Sequence, residues 1–370
     1  MAVTGANGFL GWHSRCGLRA RGHDSVAITR QSFADPAMLR ASLTNVDGIL
    51  HLAGVNRSDD DELFMDNVSV ARDLTTALAG TKATASIVFA NSIQSGSESP
   101  FGRSKQSAAR LLAAWCHKSG VPFADVHLPN LFGEHGRPNY NSVVATFCHT
   151  LARGDAPGII VDRELPLLHV QDAVDAMVDL IEQRASGSFR PEGCAMSVSA
   201  LLRKLEGFRD LQATGEIPDT SKPFDRSLYN TYRSFCFPDR YPIYPTPRSD
   251  DRGDLFEGVK AYGGQSQVFS SSTHPGVTRG NHFHRRKIER FIVLQGSAVI
   301  SLRRLFFQDV VRFEVSGDRP ALVDMPTMWT HSITNTGRSD LMTLFWTDEV
   351  FQPAKPDTFT EPVAIPDRVA

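Results

Sequence analysis

Along the first half of the chain, short β-branched runs alternate with helical stretches, and this rhythm constrains the fold more than any other feature. Ala2–Thr4, Val26–Thr29, Gly48–Leu52, Ile87–Ala90 and Ala124–His127 read as strands, and Leu63–Ala79 and Ser104–Lys118 are among the helical patterns between them. Strands joined by crossover helices predict a parallel sheet covered on both faces, an α/β doubly wound fold of the Rossmann type.

The first strand runs into Thr4-Gly5-Ala6-Asn7-Gly8-Phe9-Leu10-Gly11, which opens a helix. Glycines there allow a tight turn and let the backbone approach a pyrophosphate at the helix N-terminus. Gly5, Asn7, Gly8, Phe9, Leu10 and Gly11 are therefore candidate cofactor-binding residues. An acid at the end of the second strand would bind a ribose 2′-hydroxyl and favour NAD. The chain has Thr29-Arg30-Gln31 there, and Arg30 suits the 2′-phosphate of NADPH.

From about Phe237 the texture changes. Pro238, Pro242, Pro245 and Pro247 remove backbone donors and stop helices, so a domain boundary is expected between residues 246 and 247. Beyond it, short alternating strands predict an all-β barrel. His282 and His284 alternate along one strand, Glu289 opens the run to Leu294, and His331 comes from a separate strand. Three imidazoles and a carboxylate at these spacings form a candidate site for one divalent metal, zinc first, with iron, manganese and nickel also suited. Four protein ligands that closed the shell would make a structural metal, whereas a catalytic one keeps a position open.

Three resemblances follow from these residues. The stretches Gly276–Gly296 and Pro326–Asn335 resemble the paired motifs of the cupin family, a double-stranded β-helix jelly roll, with Met328 where the second motif usually has glycine. Residues 1–180 resemble the extended short-chain dehydrogenase/reductase family. Its signatures are matched by the glycine turn, His51-Leu52-Ala53-Gly54 after the pattern's fourth strand, Asn67, Ser92, Lys105, Pro129–Gly133 and His169-Val-Gln-Asp172. That resemblance implies Leu52, Ala53, Gly54 and Lys105 at the cofactor. It also implies a catalytic serine at Ser92 and a catalytic lysine at Lys105. The family's catalytic tyrosine falls at Phe101, which has no proton to give. Either Ser92 or a water relayed through Lys105 does the work, or the domain has lost redox chemistry, or the residue is a Tyr→Phe trap.

An extended reductase domain (residues 1–246) followed by a cupin (residues 247–370) resembles the bifunctional capsular-polysaccharide enzymes of the CapF family. Ala53–Arg57, Asn91–Gln94, Pro138–Ser142, Asp251–Gly253, Gly280–His282 and Gln352–Thr358 carry that likeness. It implies a UDP-sugar substrate, C3 epimerisation of a 4-keto-6-deoxy sugar by the cupin, and reduction of the C4 ketone with NADPH. The loop Gly133–Asn141 reads as a substrate strap. Arg137 suits a diphosphate, Tyr140 suits stacking, and Asn130, Asn139, Asn141 and His169 are further candidates. A cupin epimerase with a redox-silent partner domain and a non-catalytic sugar-nucleotide binder are the alternatives. The likeness also implies a homodimer or higher homo-oligomer through the barrel.

Composition excludes other classes. A net charge of −2 without a basic block gives no sign of nucleic-acid binding. Five cysteines without metal spacing read as reduced packing residues in a cytoplasmic protein. No signal peptide and no apolar run near a membrane span's length is evident, so neither export nor a membrane partner is expected.

Overall fold

The computed structural model describes residues 1–57, 59–81 and 84–365. Packing divides the chain into two compact units. The first comprises Met1–Phe132, Asn139–Ser142 and Arg163–Ser197, and the second Gly133–Pro138, Val143–Asp162 and everything from Val198 onward.

The first unit is built on a six-stranded sheet. Its spatial order is Val26–Ile28, Ala2–Thr4, Gly48–His51, Ser86–Ser92, Phe123–Leu128 and Gly187–Phe189. All the pairings are parallel. Ala2–Thr4 and Gly48–His51 are buried throughout, as strands covered on both faces must be. One face packs on Ala71, Leu74 and Leu78 of helix Asp60–Ala79 and on Ala108 and Leu112 of helix Pro100–Ser119. The other packs on Leu18 of helix Phe9–Ala20 and on Val174, Met177 and Ile181 of helix Val170–Glu182. The chain leaves Ala2–Thr4 towards one neighbour and returns on its other side, so the switch point of the sheet lies where the glycine turn begins.

Two sequence readings need correction. The helix expected from Ser104 begins at Pro100, because proline fits the first helical position and the Ser99 hydroxyl accepts from the Gly102 amide. The run His51–Gly54 leaves the third strand in chain order, not a fourth.

The second unit holds the barrel. One antiparallel sheet orders Gln267–Thr273, Leu341–Thr347, Glu289–Gln295 and Val323–Met325, and the other orders Val310–Ser316, Ser297–Arg304, Trp329–Asn335, Thr278–Phe283 and Phe359–Thr360. Together they form the jelly roll, its inner faces carrying Ile300, Leu302, Ile333 and Phe291, all buried. The helices Val143–Ala152, Val198–Ala213 and Pro223–Cys236 belong to this unit as well.

At the base of the second unit Arg290 and Asp324, each 1% exposed, form a bidentate pair at 2.5 and 2.9 Å. Arg290 also donates to the carbonyls of Gly215 and Gly258, and Tyr241 donates to Asp324. Arg233 bonds the Met325 carbonyl, tying helix Pro223–Cys236 to the barrel strand that holds Asp324. Burial opposes ionisation of Asp324, yet the Arg290 guanidinium keeps its carboxyl below the usual range. Among the described residues no helix is long and apolar enough to cross a membrane.

Removing one member of a buried pair strands the other charge in a medium that cannot solvate it. Asp324→Asn is expected to cost about 3–5 kcal/mol in urea unfolding. An unchanged midpoint would mean that the pair does not hold the barrel to its helices.

Candidate active sites

The glycine turn is held open by contacts that side chains would destroy. Gly5 has φ +64°, and a Cβ on Gly11 would lie 2.1 Å from the Gly5 carbonyl oxygen. Gly8, at the helix N-cap, leaves the first turn's amides facing outward without a side-chain cap. The turn is therefore a cradle for an anionic group, as a dinucleotide pyrophosphate requires. Asn7 is exposed, Phe9 and Leu10 are half-buried, and Arg30 is exposed at the first turn of helix Arg30–Ala34. The described residues at the end of Val26–Ile28 include no acid before that helix.

Thr4 ties this turn to the next strand. Its hydroxyl accepts from the amides of Leu52 and Ala53, both at 3.0 Å, and so donates its proton to His51 Nδ1 at 2.9 Å. Burial, with the nearby Lys105 charge, pushes His51 down to about 3, so the ring stays neutral as an acceptor. The motif residues Leu52 and Ala53 are thus fixed by a threonine hydroxyl that the sequence reading passed over. Its only signal was a small hydroxyl residue immediately before the first glycine.

Ser92 ends strand Ser86–Ser92, and Phe101 and Lys105 lie one helical turn apart on Pro100–Ser119. The Lys105 ammonium donates to the Ala90 carbonyl at 2.9 Å. It stands 4.8 Å from the Phe89 ring centre and 5.9 Å from that of Phe101. Burial lowers Lys105 to about 8, with the Asp125 charge opposing the shift. The structure therefore brings a buried, readily deprotonated lysine to the end of the strand that carries Ser92, with an inert ring at Phe101.

The strap residues divide between the units. Asn130, Asn139, Tyr140, Asn141 and His169 lie in the first, and Arg137 packs with the second. Arg57 donates to Asn141 Oδ1 at 2.8 Å and lies 5.1 Å over the Tyr140 ring, a clasp absent from the sequence reading. His169 is buried against Phe132 and stands at the N-cap position of helix Val170–Glu182 without a side-chain cap bond.

In the barrel, His282, His284, Glu289 and His331 converge with their donor atoms within 4.8 Å of one another. Glu289 Oε2 lies 3.0 Å from His284 Nε2, 3.1 Å from His331 Nε2 and 3.8 Å from His282 Nε2. The opposite ring nitrogens decide the chemistry. His284 Nδ1 faces the Asp357 carbonyl at 2.6 Å and His331 Nδ1 faces the Trp329 carbonyl at 3.2 Å. Carbonyls only accept, so both Nδ1 atoms carry hydrogen, and a neutral ring then aims a bare Nε2 lone pair at the carboxylate. Burial pushes His331 down to about 4, which keeps it neutral. Burial alone would raise Glu289, and only positive charge or N–H donors around it lower it, a role left to a bound cation where both Nε2 atoms are bare. Lone pairs converging on an ionised carboxylate repel unless a cation lies among them. Donors about 2.1 Å from a zinc would lie about 3.4 Å apart, and the observed separations bracket that value. The cluster therefore fits a divalent metal.

Sequence reading also missed Asp357, in the tail stretch noted only for its likeness. Its backbone carbonyl orients His284, and its carboxylate pins that carbonyl's segment by accepting from the amides of Arg285, Arg286 and Lys287 at 3.2, 2.9 and 2.8 Å. Partners that orient metal-binding rings matter nearly as much as the ligands. Asp357→Ala is expected to weaken metal binding roughly 10–100-fold in chelator competition. Unchanged affinity would show that the barrel holds His284 unaided.

Comparison with known proteins agrees with this architecture. The NAD dependent epimerase/dehydratase family matches residues 1–190, and the polysaccharide biosynthesis C-terminal domain matches residues 248–359. A Pseudomonas aeruginosa protein named UDP-2-acetamido-2,6-beta-L-arabino-hexul-4-ose reductase is 34% identical over 96% of this chain and 97% of its own. The Staphylococcus aureus capsular polysaccharide assembling protein CapF is 31% identical, with a TM-score of 0.63 over 98% of this chain and 99% of that one. A Bacillus cereus UDP-N-acetylglucosamine 4-epimerase, 21% identical over 56% of this chain and 81% of its own with a TM-score of 0.52, shows the fold alone. The epimerase/dehydratase family implies a nicotinamide cofactor and reductase or epimerase chemistry. The chain belongs to the NAD dependent epimerase/dehydratase family and, along its whole length, to the CapF-like polysaccharide enzymes.

Proposed function

We propose that the chain is a bifunctional nucleotide-sugar enzyme. The barrel, residues 247–370, epimerises C3 of a UDP-linked 4-keto-6-deoxy-N-acetylhexosamine. The preceding residues, 1–246, reduce the C4 ketone with NADPH to a UDP-2-acetamido-2,6-dideoxy-L-talose-like product. One observation carries the reading: a Ser92–Lys105 site beside a glycine cradle and a buried His/Glu cluster occur on one chain. Support comes from the full-length relative named as a reductase of a UDP-linked 4-ulose. We also assign the protein to the cytoplasm, as a homodimer or higher oligomer joined through the barrel.

Bound NADPH would supply the hydride, held by Gly5, Gly8 and Gly11, with Arg30 at its 2′-phosphate. The chain must then supply a proton to the developing alkoxide. Phe101 cannot. We assign that proton to Lys105, passed through the Ser92 hydroxyl or a water. The ammonium is the acid form, so the supply is full below about 8 and falls as pH rises through the lowered value of Lys105. In the barrel, a 4-keto group acidifies the C3 proton, and a divalent ion among the four ligands would polarise that ketone. Zinc suits this donor set. His282 is 24% exposed, the most open of the ligands, and marks the side from which a substrate approaches.

Phe101 favours a second reading, an epimerase whose N-terminal unit binds cofactor without turnover. Incubation with the UDP-4-keto sugar in deuterium oxide, with and without NADPH, separates the two. Deuterium uptake together with loss of absorbance at 340 nm is the expected result. Uptake without NADPH loss establishes the second reading. Neither signal, despite bound metal, leaves a sugar-nucleotide-binding protein.

Two further outcomes are expected of the reductive step. NADPH oxidation should decline above about pH 8 in a pH–rate profile, following deprotonation of Lys105. Phe101→Tyr should raise kcat by roughly 10²–10⁴-fold, the usual contribution of a positioned acid. A flat profile would remove Lys105 from this role, and no gain from the tyrosine would show that the step is not limited by the acid missing at position 101.

A further inference from the structure

A cavity lies in the first unit, on the face of the sheet covered by helix Pro100–Ser119. Its volume is about 510 Å³. Gln106, Ala109, Arg110 and Ala113 line it from that helix, Phe123, Asp125 and His127 from strand Phe123–Leu128, and Arg190 from beyond the edge strand Gly187–Phe189. None of the cofactor, substrate or metal candidates above lines it.

Charge is what singles this cavity out. Arg110 and Arg190 reach it from different elements, and among the described residues neither guanidinium has a hydrogen bond or ion pair. Both residues are exposed, so an anion entering the cavity would meet two positive charges that no protein group has neutralised. The one acid in the lining, Asp125, is already engaged. Its Oδ1 accepts from Asn91 Nδ2 at 2.8 Å, and its Oδ2 lies 3.1 Å from His127 Nε2. Ala109, Ala113 and Phe123 supply apolar wall for a ring or chain, as small-molecule pockets require. Arginine pairs with a tetrahedral oxyanion through two parallel N–H bonds, so a cavity lined by two such residues suits a phosphate.

We propose that this cavity binds a small organic phosphate, up to the size of a nucleoside monophosphate, with the phosphate clamped between Arg110 and Arg190. His127 reports its presence to the reductive site, because its Nδ1 lies 3.3 Å from the Ser92 carbonyl oxygen. Asn91 closes the circuit by accepting the Ser92 amide at 2.9 Å. Ser92 is thus held at both ends of its residue by groups that share Asp125. The binding claim stands on the cavity alone, and only the link to catalysis rests on the function proposed above.

The test is a titration of full-length protein carrying ¹³C-labelled histidine, with the His127 resonance assigned through its loss in His127→Gln. Inorganic phosphate and uridine monophosphate are the probes. The expected result is a saturable shift of the His127 signal with uridine monophosphate, at lower concentration than with phosphate. Affinity should fall at least tenfold in Arg110→Gln/Arg190→Gln, and less in Arg110→Lys/Arg190→Lys, which keeps charge without the fork. Absence of a saturable shift with either probe overturns the proposal. So does equal affinity in the glutamine double variant, once its thermal unfolding matches the parent. No turnover is read, so a redox-silent enzyme would leave the test intact.

Discussion

The barrel site rests on one electrostatic constraint: an ionised carboxylate buried among imidazole lone pairs. Glu289 is 5% exposed, and His284 and His331 turn bare nitrogens towards it because their other nitrogens are committed to carbonyls. A cation among the four donors would relieve that repulsion, and folding of the strands and metal binding would then be linked. The surrounding backbone shows the same pressure. Met328, where glycine was the expected residue, takes φ +59°, and its amide donates to the His284 carbonyl at 2.7 Å. A left-handed methionine is strained on its own. Here the bond between the two ligand-bearing segments offsets that strain.

The first unit answers a different demand. A Rossmann-type turn needs an anion cradle at the sheet's switch point and a proton source across from it. Thr4 meets the first need by bonding at once to His51, Leu52 and Ala53, which sets the spacing between the glycine turn and the following motif. For the second, Lys105 is the proposed source. Burial between Phe89 and the Phe101 position lowers its proton affinity, and the Ala90 carbonyl keeps the ammonium aimed at the strand end. A tyrosine would add a second acid on the same helix face. Phenylalanine leaves the lysine as the ionisable group of the motif.

Much of this was legible from spacing. The glycines of the turn and the His282–His284 alternation are local signals, the rhythm of strand and helix repeats them along the chain, and Glu289 and His331 added ligand types from further strands. Helix Pro100–Ser119 starts four residues before the expected Ser104 because its first turn is set by the Ser99 cap and by proline, which fits the first helical position. Asp357 and Thr4 escaped notice for another reason. Their partners lie some tens of residues away, at Arg285–Lys287 and Leu52–Ala53, and nothing about an aspartate or threonine alone names the amide it will meet. The clasp of Arg57 on Tyr140 and Asn141 is of the same kind.

By itself the sequence determined which chemistry was available: a glycine cradle, an arginine in place of an acid at Arg30, a lysine without its tyrosine, and four metal-type ligands. These are properties of residue type and short spacing, which hold before the chain folds. Only the tertiary structure decided how that chemistry is set. It settled which imidazole nitrogen carries the proton, how far Lys105 falls under burial, and that two arginines without partners share a cavity behind Ser92. The physical reason is that desolvation and hydrogen-bond direction arise between segments distant in the chain, and packing alone brings those segments together.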